Sequence, residues 1–253
     1  GFAVNEAEFI VTMNGSQVAF PSKTDILGKL STNFFGTYSA GSEFKVRAIK
    51  DGLKSNETTI KVVPSLGALK PEKINVTVGA NASTSVGIGF QTSHDVEAAK
   101  VIVSTSADLS SPQEFAATSK VVQTTAGGID REYTSWGAYV TGLSANTKYY
   151  YKVGSNQEWS EVLSFTTAKA SGDSTIAFYG DIQGGYTVFP NVVKQAYEIY
   201  PDIDLNILAG DVSDNAHVYQ EWTDLYSNSQ QYFNNNIWMA TIGNHDTYDG
   251  GQA

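Results

Sequence analysis

The sequence has 253 residues, 26 acidic against 16 basic side chains, a formal net charge of -10 and no cysteine. These figures leave room for two or three domains, exclude a disulfide scaffold and any thiolate metal site, and speak against nucleic acid as the main partner, which needs clustered Lys and Arg. No apolar run approaches the ~18 residues of a membrane span, and the first ten residues lack a signal peptide's basic and hydrophobic regions, so membrane insertion is not expected.

The acidity is local. Residues 1–171 carry 15 basic and 15 acidic side chains, whereas residues 172–253 carry one basic residue, Lys194, and 11 acidic ones. Solvated carboxylates account for such an excess; so do carboxylates that meet cations.

Along the chain, period-2 alternation in FKVRAIK puts Phe44, Val46 and Ala48 on one strand face, and ETTIKVV does the same for Thr58, Ile60 and Val62. Asp51-Gly52 supplies a turn between them. Residues 1–64 therefore read as a small β module, and GTYSAGSEFKVRAIKDG is similar to the last strands of immunoglobulin-like surface modules. The absence of a recognisable start suggests a piece of a longer polypeptide.

Two prolines and a glycine in 64–71 interrupt the alternation. The next module, 69–168, offers six strands, INVTVG, TSVGIGF, AKVIVSTS, WGAYVTGL, KYYYKVG and EVLSFTT, spaced as in an all-β sandwich. Its Leu143, Thr147 and Tyr149 resemble the fibronectin type III signature, with Ala145 where proline is usual. Tyr149 would be the corner tyrosine, and Phe90 stands where that fold commonly has a tryptophan.

From residue 172 the pattern changes. TIAFYG (175–180) reads as a buried strand, and 188–200 as a helix with Val192, Val193, Ala196, Tyr197 and Tyr200 on one side. DLNILAG (204–210) reads as a second strand, 218–233 as a polar helix carrying Trp222, Leu225, Tyr226 and Phe233, and IWMATIG (237–243) as a third strand. Strands alternating with helices imply right-handed βαβ units and a parallel sheet.

Each strand ends in glycine followed by a donor side chain: Gly180-Asp181, Gly210-Asp211 and Gly243-Asn244-His245. Gly-Asp after one strand is ordinary turn chemistry. Three in phase, 30 and 33 residues apart, would emerge together at the carboxyl edge of a parallel sheet, where such folds bind ligands. Oxygen and nitrogen donors there suit hard or borderline cations.

In these blocks, FYGDIQGG, ILAGDVSDN and TIGNHD, the chain over 73–253 resembles a purple acid phosphatase-like metallophosphoesterase of the calcineurin-like superfamily. The resemblance implies two β-sandwich modules followed by the first half of a metallophosphoesterase α/β sandwich, 172–253. It implies two metal ions, Fe, Zn or Mn, with Asp181 on the first, Asp211 bridging both and Asn244 on the second. His245 would contact the phosphate and serve the leaving oxygen. A shared carboxylate lowers the cost of placing two cations together, and the pair activates water and stabilises phosphoryl charge. His245, beside a ligand and tunable across physiological pH, suits leaving-group chemistry.

Two substitutions depart from the family pattern. Asp214 stands where purple enzymes have the tyrosine that gives the colour, so no purple chromophore is expected. Gln183 stands where the first block has histidine or glycine. Gln183, Asp214 and Asn215 are candidates for contacts to the substrate or around the metals. No histidine follows His245, although the family completes its metal shells with later histidines; His94 and His217 read as surface residues. The expected reading is a secreted or cell-surface hydrolase of phosphate monoesters, or diesters, cut after its third block, with an incomplete metal site and little activity of its own. The rival reading is a non-catalytic surface protein whose β modules contact a polymer or protein.

Overall fold

The computed structural model describes residues 6–18, 41–62, 65–126 and 128–250. The chain divides into two compact units, Gly1–Pro64 and Ser65–Ala253. In the first, β1 (Glu8–Met13), β2 (Ser16–Val18), β3 (Glu43–Lys50), β4 (Leu53–Lys54) and β5 (Thr58–Lys61) form one antiparallel sheet in the order β2-β1-β3-β4, with β5 also on β3. Two tight hairpins set its register. Asp51 and Gly52 take φ of 51° and 78° between the paired Lys50 and Leu53, and Asn14 and Gly15 take 50° and 81° between Met13 and Ser16. Positive φ at both central residues matches the twist of the flanking strands. Phe44 and Val11 are buried, whereas every residue of β5 is exposed, Ile60 included.

The second unit opens with β6 (Glu72–Val78), β7 (Ser85–Ser93), β8 (Lys100–Ser104), β9 (Gln113–Ala116), β10 (Thr118–Ala126), β11 (Ile129–Thr141), β12 (Lys148–Gly154) and β13 (Leu163–Thr166). It continues with β14 (Thr175–Tyr179), α1 (Phe189–Ile199), β15 (Ile203–Leu208), α2 (Tyr219–Phe233), β16 (Ile237–Ala240) and a 3-10 turn, His245–Gly250. Two sheets form the sandwich, one of which is β13-β12-β8-β9. The other does not stop at β6: β16 pairs parallel with it, giving a seven-stranded sheet β10-β11-β7-β6-β16-β15-β14. The sandwich and the α/β region thus share one backbone ladder, and Ile237 of β16 belongs to the sandwich core with Val76, Ile88, Tyr151 and Phe165. The molecule is β plus α/β, the fold class its residue patterns imply.

Side chains reinforce the join. The buried Tyr151 hydroxyl donates to the Asn234 carbonyl at 2.6 Å, Gln230 Nε2 to the Ile74 carbonyl at 2.6 Å, and Asn75 Nδ2 to the Tyr226 hydroxyl at 3.0 Å. In the sandwich, the Ser144 backbone N–H donates to the Tyr149 hydroxyl at 2.8 Å, which makes Tyr149 the corner tyrosine. Phe90 and Trp136 stack with centroids 6.2 Å apart.

A second core fills the space between the helices and β14–β16, built from Tyr179, Phe189, Val193, Leu208, Leu225, Phe233 and Trp238. Two expectations need correction here. On α1 the buried residues are Phe189 and Val193, while Val192 and Tyr200 are 46% and 60% exposed. Proline in the first turn starts the helix near 189, and that phase turns Phe189 inward. β14 is covered on one face only: Tyr179 packs on the helices, but Phe178 and Ile176 are 68% and 46% exposed. Among the described residues it is also the last strand of its sheet, although parallel strands are ordinarily covered on both faces.

Candidate active site

The parallel strands end level: Tyr179 is in register with Leu208, and Leu208 with Ala240. The three following loops therefore leave the same sheet edge. Ladder bonds run one step further, Ala209 N–H donating to the Tyr179 carbonyl at 2.8 Å and Thr241 N–H to the Leu208 carbonyl at 2.9 Å. Beyond that point the chain turns sharply, and Asp181 and Asp211 adopt nearly the same left-handed backbone, φ 45° and 47°. This region is disfavoured for residues with a Cβ but is tolerated by aspartate, and such backbone concentrates at functional sites. Gly210 takes φ 95°, and a Cβ there would sit 3.0 Å from the Gly243 Cα. The second and third loops approach too closely for a side chain at either glycine.

Asp211 sits at the centre. Its Oδ1 accepts the His245 backbone N–H at 2.8 Å, and its carbonyl accepts the Gln183 N–H at 3.1 Å, so one residue is bonded to both other loops. Asp246 clamps the second loop to the third: its carboxylate accepts N–H groups from Val212 at 3.1 Å, Ser213 at 3.0 Å and Gly243 at 3.0 Å, and the Ser213 hydroxyl at 3.2 Å. Burial raises the carboxyl's pKa, but these donors outweigh it and hold it below the usual carboxylate range.

His245 Nδ1 donates to the Asp214 carbonyl at 3.0 Å and lies 3.1 Å from Asp214 Oδ1. The carbonyl bond raises the imidazole pKa above its ordinary value; partial burial opposes this, and the Asp211 and Asp214 carboxylates add to it. The second loop is in turn held by α2: Glu221 Oε2 accepts Asp214 N–H at 2.7 Å, Asn215 N–H at 2.9 Å and the Tyr186 hydroxyl at 2.8 Å.

Of the residues singled out from the sequence, Asp211, His245, Asp214 and Gln183 are therefore bonded into one network, and Asp181 and Asn244 stand at its rim. Both are exposed, and neither side chain is engaged in a hydrogen bond among the described residues. Gln183 Oε1 is buried without a hydrogen-bond partner among them, an acceptor left for a ligand to satisfy. Asn215 contributes mainly its backbone N–H. Among the described residues, no group of three or more His, Asp or Glu side chains is placed to hold a metal ion. Oxygen donors of the right kind are present, but they fit part of a binuclear centre and do not complete one. The Asp246 and Glu221 roles escape sequence reading, since each carboxylate binds backbone N–H groups that no side-chain pattern marks.

Residues 71–167 match the model of the purple acid phosphatase N-terminal domain, and residues 174–253 that of the calcineurin-like phosphoesterase family. No curated protein matches the chain. Among solved structures it is similar to the purple acid phosphatase PPD1 from seeds of yellow lupin (Lupinus luteus), at 18% identity and a TM-score of 0.57, over 81% of this chain and 41% of that one. It is also similar to PhoD, at 18% identity and a TM-score of 0.47, over 73% of this chain and 41% of that one. The chain thus spans about two fifths of the length of either structure.

Proposed function

We propose that this chain, a purple acid phosphatase-like metallophosphoesterase by its two matched domains, carries the first half of a site that hydrolyses phosphate monoesters, or diesters, with two metal ions. The observation that supports this reading is the common edge. Asp181, Asp211 and the Asn244-His245 pair follow three level parallel strands, both aspartates share one strained backbone, and Asp211 is bonded to the two neighbouring loops.

In this reading Asp181 and Asn244 would each hold one ion and Asp211 would be shared. When bound, the ions supply charge stabilisation to the phosphoryl oxygens and an activated water. The chain's own residues do the remaining work. Asp246 and Gly243 hold the second and third loops close together, with the Asp211 carboxylate against the His245 N–H. His245, its Nδ1 bound to the Asp214 carbonyl, would meet the phosphate and donate a proton to the departing alcohol oxygen. Gln183 Oε1 would accept from a water at the site. Asp214 in the tyrosine position leaves no phenolate to colour an iron-loaded form.

A secreted or cell-surface location accords with the β modules, and no helix among the described residues is long and apolar enough to cross a membrane. The non-catalytic alternative draws on one observation, the lack of a three-residue metal cluster among the described residues.

The test uses the chain extended by its encoded continuation, loaded with Mn, Zn or Fe and assayed on a chromogenic phosphate monoester. Turnover with Asp211→Asn losing both metal and activity, and His245→Ala keeping metal while slowing about a hundredfold or more, is the expected outcome. Full turnover by Asp211→Asn with metals bound would refute it.

A further inference from the structure

We infer that Glu221, on the first turn of α2, is a positioning residue that fixes the His245 imidazole by holding the Asp214 peptide. The inference rests on the phosphoesterase reading, in which His245 is the group that meets the phosphate. No block marks Glu221, yet two of the three loops are bonded directly to its Oε2. From the loop after β14 comes the Tyr186 hydroxyl at 2.8 Å; from the loop after β15 come the Asp214 and Asn215 N–H groups at 2.7 and 2.9 Å. The third loop joins through the peptide group that carries the Asn215 N–H, since its carbonyl, that of Asp214, accepts the His245 Nδ1 proton at 3.0 Å.

The placement is built rather than incidental. Glu221 is the third helical residue of α2, whose N-cap, Val218, offers no side-chain acceptor. A carboxylate at that position ordinarily reaches back to the N-cap N–H. Here it reaches further, to the two residues four and three places before Val218, and the helix N-terminus favours its charge. The same segment is pinned twice more from α2's side, by Val218 N–H to the Asn215 carbonyl at 2.8 Å and Trp222 Nε1 to the Ala216 carbonyl at 2.7 Å. The Asp214 carbonyl therefore points in a direction set by the helix. Bonds to a charged acceptor are roughly twice as strong as neutral ones, so Glu221 is the strongest of these anchors.

The consequence is a defined tautomer. A carbonyl only accepts, so His245 Nδ1 must carry a proton to use it. Releasing the Asp214 peptide removes the carbonyl bond that selects the Nδ1–H tautomer.

The test needs neither metal nor substrate, so its failure is distinguishable from that of a phosphatase assay. Imidazole nitrogen shifts and proton exchange at His245 Nδ1 are measured by NMR in the 253-residue chain, with amide exchange at Asp214 and Asn215. In Glu221→Ala, exchange at the two amides and at His245 Nδ1 should all accelerate by about tenfold or more, and the nitrogen shifts should move toward a tautomer mixture. Tyr186→Phe should give a smaller change of the same sign. Glu221→Gln keeps a neutral oxygen acceptor and should fall between wild type and Glu221→Ala, which keeps the test alive should the alanine variant not fold. Faster amide exchange with an unchanged His245 signal would reduce Glu221 to a loop anchor and overturn the inference; no change at any of the three would overturn it too.

Discussion

Gly243 lies against Asp211 so closely that a Cβ at 243 would overlap both the Asp211 Oδ1 and its backbone N. Glycine is required there for space rather than for a turn, and the space is what lets Asp211 face His245 N–H at 2.8 Å. Gly243→Ala should therefore destabilise the chain by about 1–3 kcal/mol, as overpacking does, and displace Asp211. Urea unfolding and the His245 amide shift read the two effects. An alanine variant of wild-type stability with an unmoved His245 amide would show that the loops are looser than described.

Asp246 follows the donor residues in the third block and coordinates nothing in the proposed centre, yet it receives three backbone N–H groups and a hydroxyl. Asp246→Ala leaves those donors without their acceptor, at a cost of about 1–3 kcal/mol for each that stays buried. Asp246→Asn keeps one oxygen and should cost less. Differential scanning calorimetry of the two variants should rank them alanine below asparagine below wild type; equal midpoints would remove the clamp.

Sandwich and α/β region should unfold together. Tyr151→Phe removes the buried hydroxyl that donates to the Asn234 carbonyl at 2.6 Å, at a cost of about 1–3 kcal/mol. Because β6 and β16 share a ladder, that loss should appear equally in probes of Trp136 in the sandwich and Trp238 in the helical core. Two separate transitions, with only the Trp136 region affected, would contradict a shared fold.

Alkaline stability follows from one lysine and a set of buried tyrosines. Burial pulls Lys73 down to about 8, against a smaller opposing effect of Glu72, with its ammonium 3.6 Å from the Tyr219 ring centroid. Burial pushes Tyr133, Tyr179, Tyr186 and Tyr226 up to about 12. Between pH of about 8 and 10.5 the unfolded chain holds a proton on Lys73 that the folded chain has released, so stability rises with pH. Above about pH 10 the unfolded tyrosines lose protons that the folded ones keep until about 12, so stability falls. The thermal midpoint should climb from about pH 8 to a maximum near 10 and then drop, and Lys73→Met should abolish the climb. A midpoint that is flat over that range in the wild type would contradict the burial of Lys73.

The strand ends were legible, because strands of alternating or continuous apolar character announce where they stop. Asp181, Asp211, Asn244 and His245 could be placed at one edge from spacing alone. What stayed hidden has physical causes. β10 and the first half of β11 carry Lys120, Gln123, Thr124, Arg131 and Glu132, so the hairpin offers no apolar alternation to read. The β1–β2 hairpin turns on Asn14-Gly15, but β2 is only three residues long and offers no alternation to read. The extension of the sandwich sheet through β6 and β16 is a long-range pairing, which no local pattern encodes. Phe178 looked interior because it is aromatic within an apolar run, yet a strand with helices on one side leaves it open.

The central claim is that Asp181, Asp211 and Asn244 converge as cation donors, and paramagnetic relaxation by Mn(II) tests it without reliance on catalysis. Titrating Mn(II) into the nitrogen-15-labelled 253-residue chain should broaden the amides of Asp181, Asp211, Asn244 and His245 first, and Asp211→Asn should raise the concentration needed by about tenfold or more, the scale of one lost charge-assisted contact. Broadening that begins elsewhere, or that is unchanged by Asp211→Asn, would contradict it.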